Sequence, residues 1–252
     1  MDNFNPFSLA GKNILVTGAS SGIGKAISIL CSKLGANIIA TGRNKDRLSH
    51  LINEMQGDNN IIISADLTRE DDIEKLVEMC PELNGIVHSA GIMNRIPSKM
   101  ISNACIEKIM SSNFNAPVLL QKQLIKKKKI ITEASIVFIA SRAPFAPSFG
   151  NSLYAASKGA IISYAKVLAL ELASKLIRVN CICPGMVWTN LVKKDEEMSG
   201  IDYRLKEEEY PLKRFGQPED VAFLAIYMLS DTSKWMTGSV VDIDGGGELT
   251  LV

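Results

Sequence analysis

No run of apolar residues in this 252-residue chain reaches the roughly 20 positions that a membrane-spanning helix takes. The start, Met1-Asp2-Asn3-Phe4-Asn5-Pro6, lacks the basic stretch followed by an apolar stretch that marks a secretory leader. Excess charge of one sign is missing too. With 28 Lys and Arg against 27 Asp and Glu, a net charge of +1 gives no electrostatic reason to expect nucleic acid or an anionic membrane as partner. Paired cysteines are absent: the five (Cys31, Cys80, Cys105, Cys181, Cys183) are odd in number and scattered. Cys181 and Cys183 fall in a strand-like run with no second Cys or His pair nearby, so buried free thiols in a reducing compartment account for them better than a disulfide or a metal site. Internal repeats and low-complexity linkers are missing as well. These absences lead to the expectation of a soluble, cytoplasmic chain folded as one domain over residues 1–252, without a metal site.

What is present is an alternation of short β-rich runs with longer helical patterns. Residues 13–17, 37–41, 61–65, 85–88, 135–140, 178–182 and 239–243 read as strands, and 23–34, 45–55, 70–79, 103–124, 152–174 and 218–229 as helices. Such alternation predicts βαβ units: an α/β, Rossmann-type, doubly wound parallel sheet of about seven strands with helices on both faces. Several strands are apolar without alternation, as both faces being covered requires. The stretch 189–215 breaks the rhythm with charge runs, Lys193-Lys194-Asp195-Glu196-Glu197 and Lys206-Glu207-Glu208-Glu209. It reads as a solvated face, as a substrate lid at the carboxyl edge of the sheet, or as both. The helix from Ala160 to Leu172 is apolar around much of its circumference, which predicts a second cover and hence a homo-oligomer, a tetramer or dimer.

Thr17-Gly18-Ala19-Ser20-Ser21-Gly22-Ile23-Gly24 follows the first strand directly and opens the first helix. Glycines there allow a tight turn and close backbone approach, while the helix N-terminus offers unpaired N–H groups to a pyrophosphate. At the tip of the second strand, Ala40-Thr41-Gly42-Arg43-Asn44, no acid stands where NAD-selective sites hold a ribose 2′-hydroxyl. Arg43 suits a 2′-phosphate instead, so NADP(H) is favoured over NAD(H). Tyr154 and Lys158, four positions apart, share a helix face. A phenol with a pKa of about 10 is a poor proton shuttle near neutrality, and a neighbouring cation is expected to lower it. Ser141, just beyond an apolar strand, offers a hydroxyl to a carbonyl or alcohol oxygen.

In this order, the glycine turn, Ser141, Tyr154 and Lys158 resemble the short-chain dehydrogenases/reductases of the single-domain branch, and the resemblance runs over essentially the full length. Further motifs carry it: Asp66-Leu67 after the third strand, Asn113 in the long fourth helix, Asn180-x-x-x-Pro184-Gly185, Val187-x-Thr189, and Arg214-Phe215-Gly216-x-Pro218-Glu219-Asp220-Val221-Ala222 with Asp244-Gly245-Gly246. The last pair is similar to the carrier-protein reductase subgroup. The resemblance implies a cofactor site made of Gly18, Ser20, Ser21, Gly22, Ile23, Gly24, Arg43, Asp66, Leu67, Ser89, Ala90, Gly91, Tyr154, Lys158, Pro184, Gly185, Val187 and Thr189. Within it Asp66 and Leu67 contact adenine, and the 184–189 segment holds the nicotinamide carboxamide. It also implies a catalytic set: Tyr154 as proton donor, Lys158 binding ribose and lowering the tyrosine pKa, Ser141 orienting the carbonyl, and Asn113 holding a water. One departure stands out, His88-Ser89-Ala90-Gly91 where the family has Asn-Asn-Ala-Gly. His88 lies within an apolar strand and reads as a satisfied core residue rather than an acid–base group.

The apolar candidates for a pocket wall are Met93, Pro97, Ala143, Phe145, Phe149, Met186 and Val187, which suit a substrate with an apolar portion. The resemblance makes a 3-oxoacyl-carrier-protein reductase the first expectation, with an acyl-thioester carbonyl substrate. The run Lys126-Lys127-Lys128-Lys129 then reads either as charge complementing a helix C-terminus or as docking for acyl carrier protein. The alternatives are another ketone or alcohol (sugar, steroid, polyol) and a catalytically silent NADP-binding scaffold.

Overall fold

Seven parallel strands form one sheet in the order β3-β2-β1-β4-β5-β6-β7 in the computed structural model. It describes residues 4–200 and 202–247, the side chains at 198 and 199 excepted; the ends of the expected domain, 1–3 and 248–252, and position 201 of the expected lid lie outside them. In chain order the elements are β1 (Asn13–Thr17), α1 (Gly22–Lys33), β2 (Asn37–Gly42), α2 (Lys45–Glu54), β3 (Ile61–Ser64), α3 (Glu70–Met79), β4 (Leu83–His88), α4 (Asn103–Met110), α5 (Ala116–Lys126), β5 (Ile130–Ile139), α6 (Ser152–Leu172), β6 (Arg178–Pro184), α7 (Asn190–Ser199), α8 (Tyr203–Glu207), α9 (Pro218–Leu229) and β7 (Val240–Ile243). Helices cover both faces. Leu15, Ile39, Ile86, Ile136 and Val179 pack toward α3, α5 and α6. Their neighbours Ile14, Val16, Ile38, Val87 and Val137 pack toward α1, α2 and α9. Burial on both faces is why these strands read as unbroken apolar runs.

The strand order reverses between β1 and β4, which pair in parallel with Thr17 opposite His88. The crevice beyond the carboxyl ends of strands at such a switch point is where open α/β sheets take ligands. Gly18 leaves β1 and Ser89 leaves β4 at that point.

Two elements differ from expectation. The helix expected over 103–124 is broken by a π turn at Ser111–Asn115, which separates α4 from α5. A π turn inserts an extra residue into the helix and turns a side chain out of the regular repeat. Strand β5 begins at Ile130 rather than 135: Leu83 pairs with Ile130 and Gly85 with Ser135, so the register shifts across a bulge that holds Glu133 at φ 63°. A charged residue at positive φ hides the start of this strand from any alternation pattern.

The segment 189–215 is more than a solvated charge run. It folds into α7 and α8 around Val192, Tyr203 and Phe215, with Met186, Trp188 and Tyr210 packed on them. Its base is closed where Trp188 N–H donates to Gly216 O at 2.8 Å and Gly216 N–H to Met186 O at 2.9 Å. Glu207 accepts from both Trp188 Nε1 and the Phe215 amide. On α6, Ile161, Ala165, Leu168 and Leu172 are buried in the core while Val167 and Leu170 remain exposed. Among the described residues no helix is long and apolar enough to cross a membrane.

Candidate active site

A cavity of about 510 Å³ opens at the switch point, within the ~300–1,000 Å³ typical of small-molecule sites. Its wall joins most of the residues singled out in the sequence: Gly18, Ser20, Ser21, Gly22, Ile23, Arg43, Asp66, Leu67, Ser89, Ala90, Gly91, Ser141, Tyr154, Lys158, Pro184, Gly185, Val187 and Thr189. Gly24 and Asn113 stand behind it. A Cβ on Gly24 would lie 2.6 Å from Gly18 O, so this glycine lets helix α1 close onto the turn and does not face the cavity.

The turn itself needs glycine twice. Gly18 has φ +67°, and a Cβ there would come within 2.9 Å of the Ala90 backbone; Gly22 has φ +54°. Both lie in the left-handed region that favours glycine. Ser21 makes no side-chain cap on α1, and the first turn carries no acid, so the helix amides stay available to an anion. This arrangement fits the pyrophosphate of a dinucleotide. At the far end Arg43 is exposed. Asp66 Oδ1 accepts from the Thr68 hydroxyl and amide. Burial pushes the Asp66 pKa up, but Thr68, Arg43 and Arg69 outweigh it and the net shift is down.

At the opposite end stand Ser141, Tyr154 and Lys158. Lys158 Nζ is buried, donates to Ile139 O at 2.8 Å, and lies 5.8 Å from the Tyr154 ring centroid. Burial lowers the Lys158 pKa to about 8. Tyr154 departs from expectation. Its pKa is raised: burial dominates, opposed by a hydrogen bond with the Ser141 hydroxyl and reinforced by Cys183. The neighbouring lysine does not bring the pKa below its ordinary value, because burial of the phenol outweighs what lowers it. Ser141 Oγ accepts from the Ala143 amide at 3.0 Å, which orients the hydroxyl proton away from its own loop.

Asn113 touches the site only through others. Its Oδ1 accepts from Ile92 N–H at 2.8 Å, and its Nδ2 donates to Ile92 O at 2.9 Å and Ser157 Oγ at 3.0 Å. Ser157 in turn donates to Tyr154 O at 2.8 Å. A Cβ on Gly91 would approach Asn113 Oδ1 at 3.2 Å and Lys158 Nζ at 3.5 Å, so the three are packed together.

The His88-Ser89 departure has a structural answer in Thr17, which the sequence reading took only as part of the glycine turn. Its buried hydroxyl accepts from both the Ser89 and Ala90 amides at 3.1 Å, bracing β1 against the turn after β4. His88 is a core residue as expected, stacked on Phe138 at 4.5 Å and donating from Nε2 to Gln121 Oε1. It is not fully satisfied: among the described residues nothing pairs with His88 Nδ1 or Gln121 Nε2. Burial lowers its pKa to about 4.

Of the expected apolar wall, Met93, Ala143, Met186 and Val187 line the cavity. Pro97, Phe145 and Phe149 do not: Phe145 and Phe149 are exposed, and Phe145 lies under the Arg142 guanidinium at 5.1 Å. Unforeseen wall residues include Arg95 and Arg142. Thr189 caps α7 and packs its methyl group toward Gly22. The 214–222 motif does local work, with Arg214 paired to Asp220 and Asp220 completing the capping box of α9. Lys129 caps the carbonyls of Glu78 and Cys80 at the C-terminal end of α3, leaving Lys126, Lys127 and Lys128 exposed.

Comparison with known proteins agrees with this geometry. Residues 18–248 match the family profile described as enoyl-(acyl carrier protein) reductase. The chain is 32% identical over 240 residues to the 3-oxoacyl-[acyl-carrier-protein] reductase of Rickettsia felis, covering 94% of this chain and 97% of that one. It is 33% identical over 258 residues to a tropinone reductase homologue of Arabidopsis thaliana, covering 98% and 96%. A solved structure of a short chain dehydrogenase family protein from Francisella tularensis superimposes with a TM-score of 0.83 at 35% identity, covering 95% of this chain and 99% of that one.

Proposed function

Because the chain belongs to the short-chain dehydrogenase/reductase family of oxidoreductases, which interconvert alcohols and ketones with NAD(P), we propose that it is an NADP(H)-dependent carbonyl reductase acting on a 3-oxoacyl thioester, carried by acyl carrier protein. The observation that carries the reading is the convergence of Ser141, Tyr154 and Lys158 on one end of a cavity whose other end is the glycine turn and Arg43.

The residues divide the work. The glycine turn and the free amides of α1 would hold the pyrophosphate, Asp66 and Leu67 the adenine, Arg43 the 2′-phosphate, and Pro184 to Thr189 the nicotinamide side. When bound, the reduced nicotinamide supplies a hydride. The Ser141 hydroxyl donates to the substrate carbonyl oxygen and fixes it beside Tyr154 Oη. Tyr154 Oη gives its proton to that oxygen as the alcohol forms. Lys158, cationic below about pH 8, holds ribose hydroxyls with the donors that Ile139 leaves free and stabilises the resulting phenolate. Burial keeps Tyr154 protonated before reaction, which suits a donor. Asn113 acts at one remove, fixing Ile92 and, through Ser157, the backbone of Tyr154. Helices α7 and α8 cover the substrate end as a lid. Exposed Lys126, Lys127 and Lys128 offer charge to an acidic carrier, and exposed Val167 and Leu170 on α6 suit burial against a second copy in a homo-oligomer.

The similarity to a tropinone reductase homologue favours a second reading, a reductase of small ketones that need no carrier. NADPH oxidation measured with acetoacetyl thioesters, free β-ketoesters, keto-sugars and steroids separates the two. Thioester turnover well above that of the other classes supports the first reading. A preference for another ketone supports the second, and turnover of none leaves a cofactor-binding scaffold.

A further inference from the structure

Two arginines face the substrate end of the cavity, and each is answered by carboxylates from a distant part of the chain. Arg142, next to Ser141, pairs with Asp242 and reaches Asp244 at 3.6 Å. Arg95, on the loop after β4, directs Nε to both Oδ1 and Oδ2 of Asp195 at 2.9 Å. Asp195 lies on α7 and is 7% exposed. Tyr203 of α8 donates its hydroxyl to the same carboxylate, and Arg95 Nη2 reaches that hydroxyl at 3.2 Å. Arg95 Nη1 donates to Phe149 O at 3.2 Å, on the loop that leads into α6. The guanidinium therefore joins the three segments around the substrate end: the loop after β4, the loop before α6, and the α7–α8 segment.

This geometry decides the charge of the wall. A guanidinium lining a binding cavity is a bidentate receptor for a carboxylate or phosphate. Here Asp195, behind the wall, occupies that receptor, so Arg95 adds no net positive charge to the cavity. An anionic substrate would have to displace a buried carboxylate that already takes three hydrogen bonds.

We propose that Asp195, by neutralising Arg95 in the cavity wall, is the specificity-determining residue that restricts the site to carbonyl compounds uncharged near the reacting group and excludes keto acids. The proposal deepens the carbonyl-reductase reading and rests on it for the word substrate. Its chemistry reduces to binding selectivity, which is measurable without turnover. Asp195→Asn is nearly isosteric. With it, Phe149 O and the Tyr203 hydroxyl still hold Arg95 in place, but its charge is left unanswered.

The probes are 4-oxopentanoate and its methyl ester, bound to the full chain with and without NADP+ and followed by calorimetry. Asp195→Asn is expected to bind the acid about 10-fold or more tighter than wild type, equivalent to about 1.4 kcal/mol. The ester should stay within about twofold. Raising salt should erode the gain. Arg95→Gln leaves the buried Asp195 carboxylate behind the wall without its guanidinium and should bind the acid more weakly than wild type. The double variant should return to the wild-type ratio of acid to ester. An unchanged ratio across these proteins, or a gain that persists in the double variant, overturns the proposal. Should wild type neither bind NADP+ nor reduce any ketone, the functional reading fails while the four binding ratios still judge the role of Asp195.

Discussion

Asn113 meets the backbone of Ile92 with both ends of its amide, accepting from Ile92 N–H at 2.8 Å and donating to Ile92 O at 2.9 Å. The π turn at Ser111–Asn115 makes this possible by turning Asn113 inward from a helix surface toward the loop after β4.

Asn113→Ala leaves the Ile92 amide and carbonyl, both beside the cavity, without their partner. An unpaired buried group costs about 1–3 kcal/mol, so the midpoint of urea unfolding should fall accordingly. Turnover should fall too, because Ile92 precedes Met93 in the cavity wall and Ser157 loses its link to Tyr154. Denaturant curves and steady-state rates on the same variant check both. Unchanged turnover in a destabilised variant would assign Asn113 a purely structural part.

His88 makes acid lability a second test. Its folded pKa of about 4 lies below the ordinary value of 6.5, so between these limits the unfolded chain binds a proton that the folded chain refuses. Stability then falls as pH drops from about 6.5 to 4, by up to about 3 kcal/mol from this group. His88→Asn should flatten that window while leaving the loss below pH 4, where Asp66, Asp220 and Asp231, all held low, begin to protonate. Unfolding free energies at pH 7, 5 and 4 provide the check.

The proposed preference for NADP(H) rests on Arg43. Arg43→Ala should lower kcat/KM for NADPH by about 10-fold or more and leave NADH within about twofold, since only the 2′-phosphate needs the guanidinium. Equal losses with both cofactors would place Arg43 outside phosphate recognition.

What the sequence made legible was local. The glycine turn announces itself because the residue before it ends a strand and the residue after it starts a helix. Tyr154 and Lys158 announce themselves because four positions close one helical turn. Thr17 could be named in its motif, but its two hydrogen bonds cross to residues more than seventy positions away. Arg95 and Asp195 stand a hundred positions apart and meet only after the sheet, the loop and α7 are all in place. The raised pKa of Tyr154 was hidden for the same reason. Spacing reports the neighbouring lysine, whereas the shift is set by burial, which only the assembled fold determines.

The central claim is that Tyr154 gives the proton to a carbonyl while the remainder of the cavity holds NADP(H). Replacing Tyr154 by Phe removes one hydroxyl and leaves the ring beside Lys158. Measured together, NADPH affinity by fluorescence titration and the single-turnover rate of NADPH oxidation with an acetoacetyl thioester decide it. The expected result is binding within about twofold of wild type and a rate lower by about 10²–10⁴-fold. A near wild-type rate in Tyr154→Phe would contradict the account.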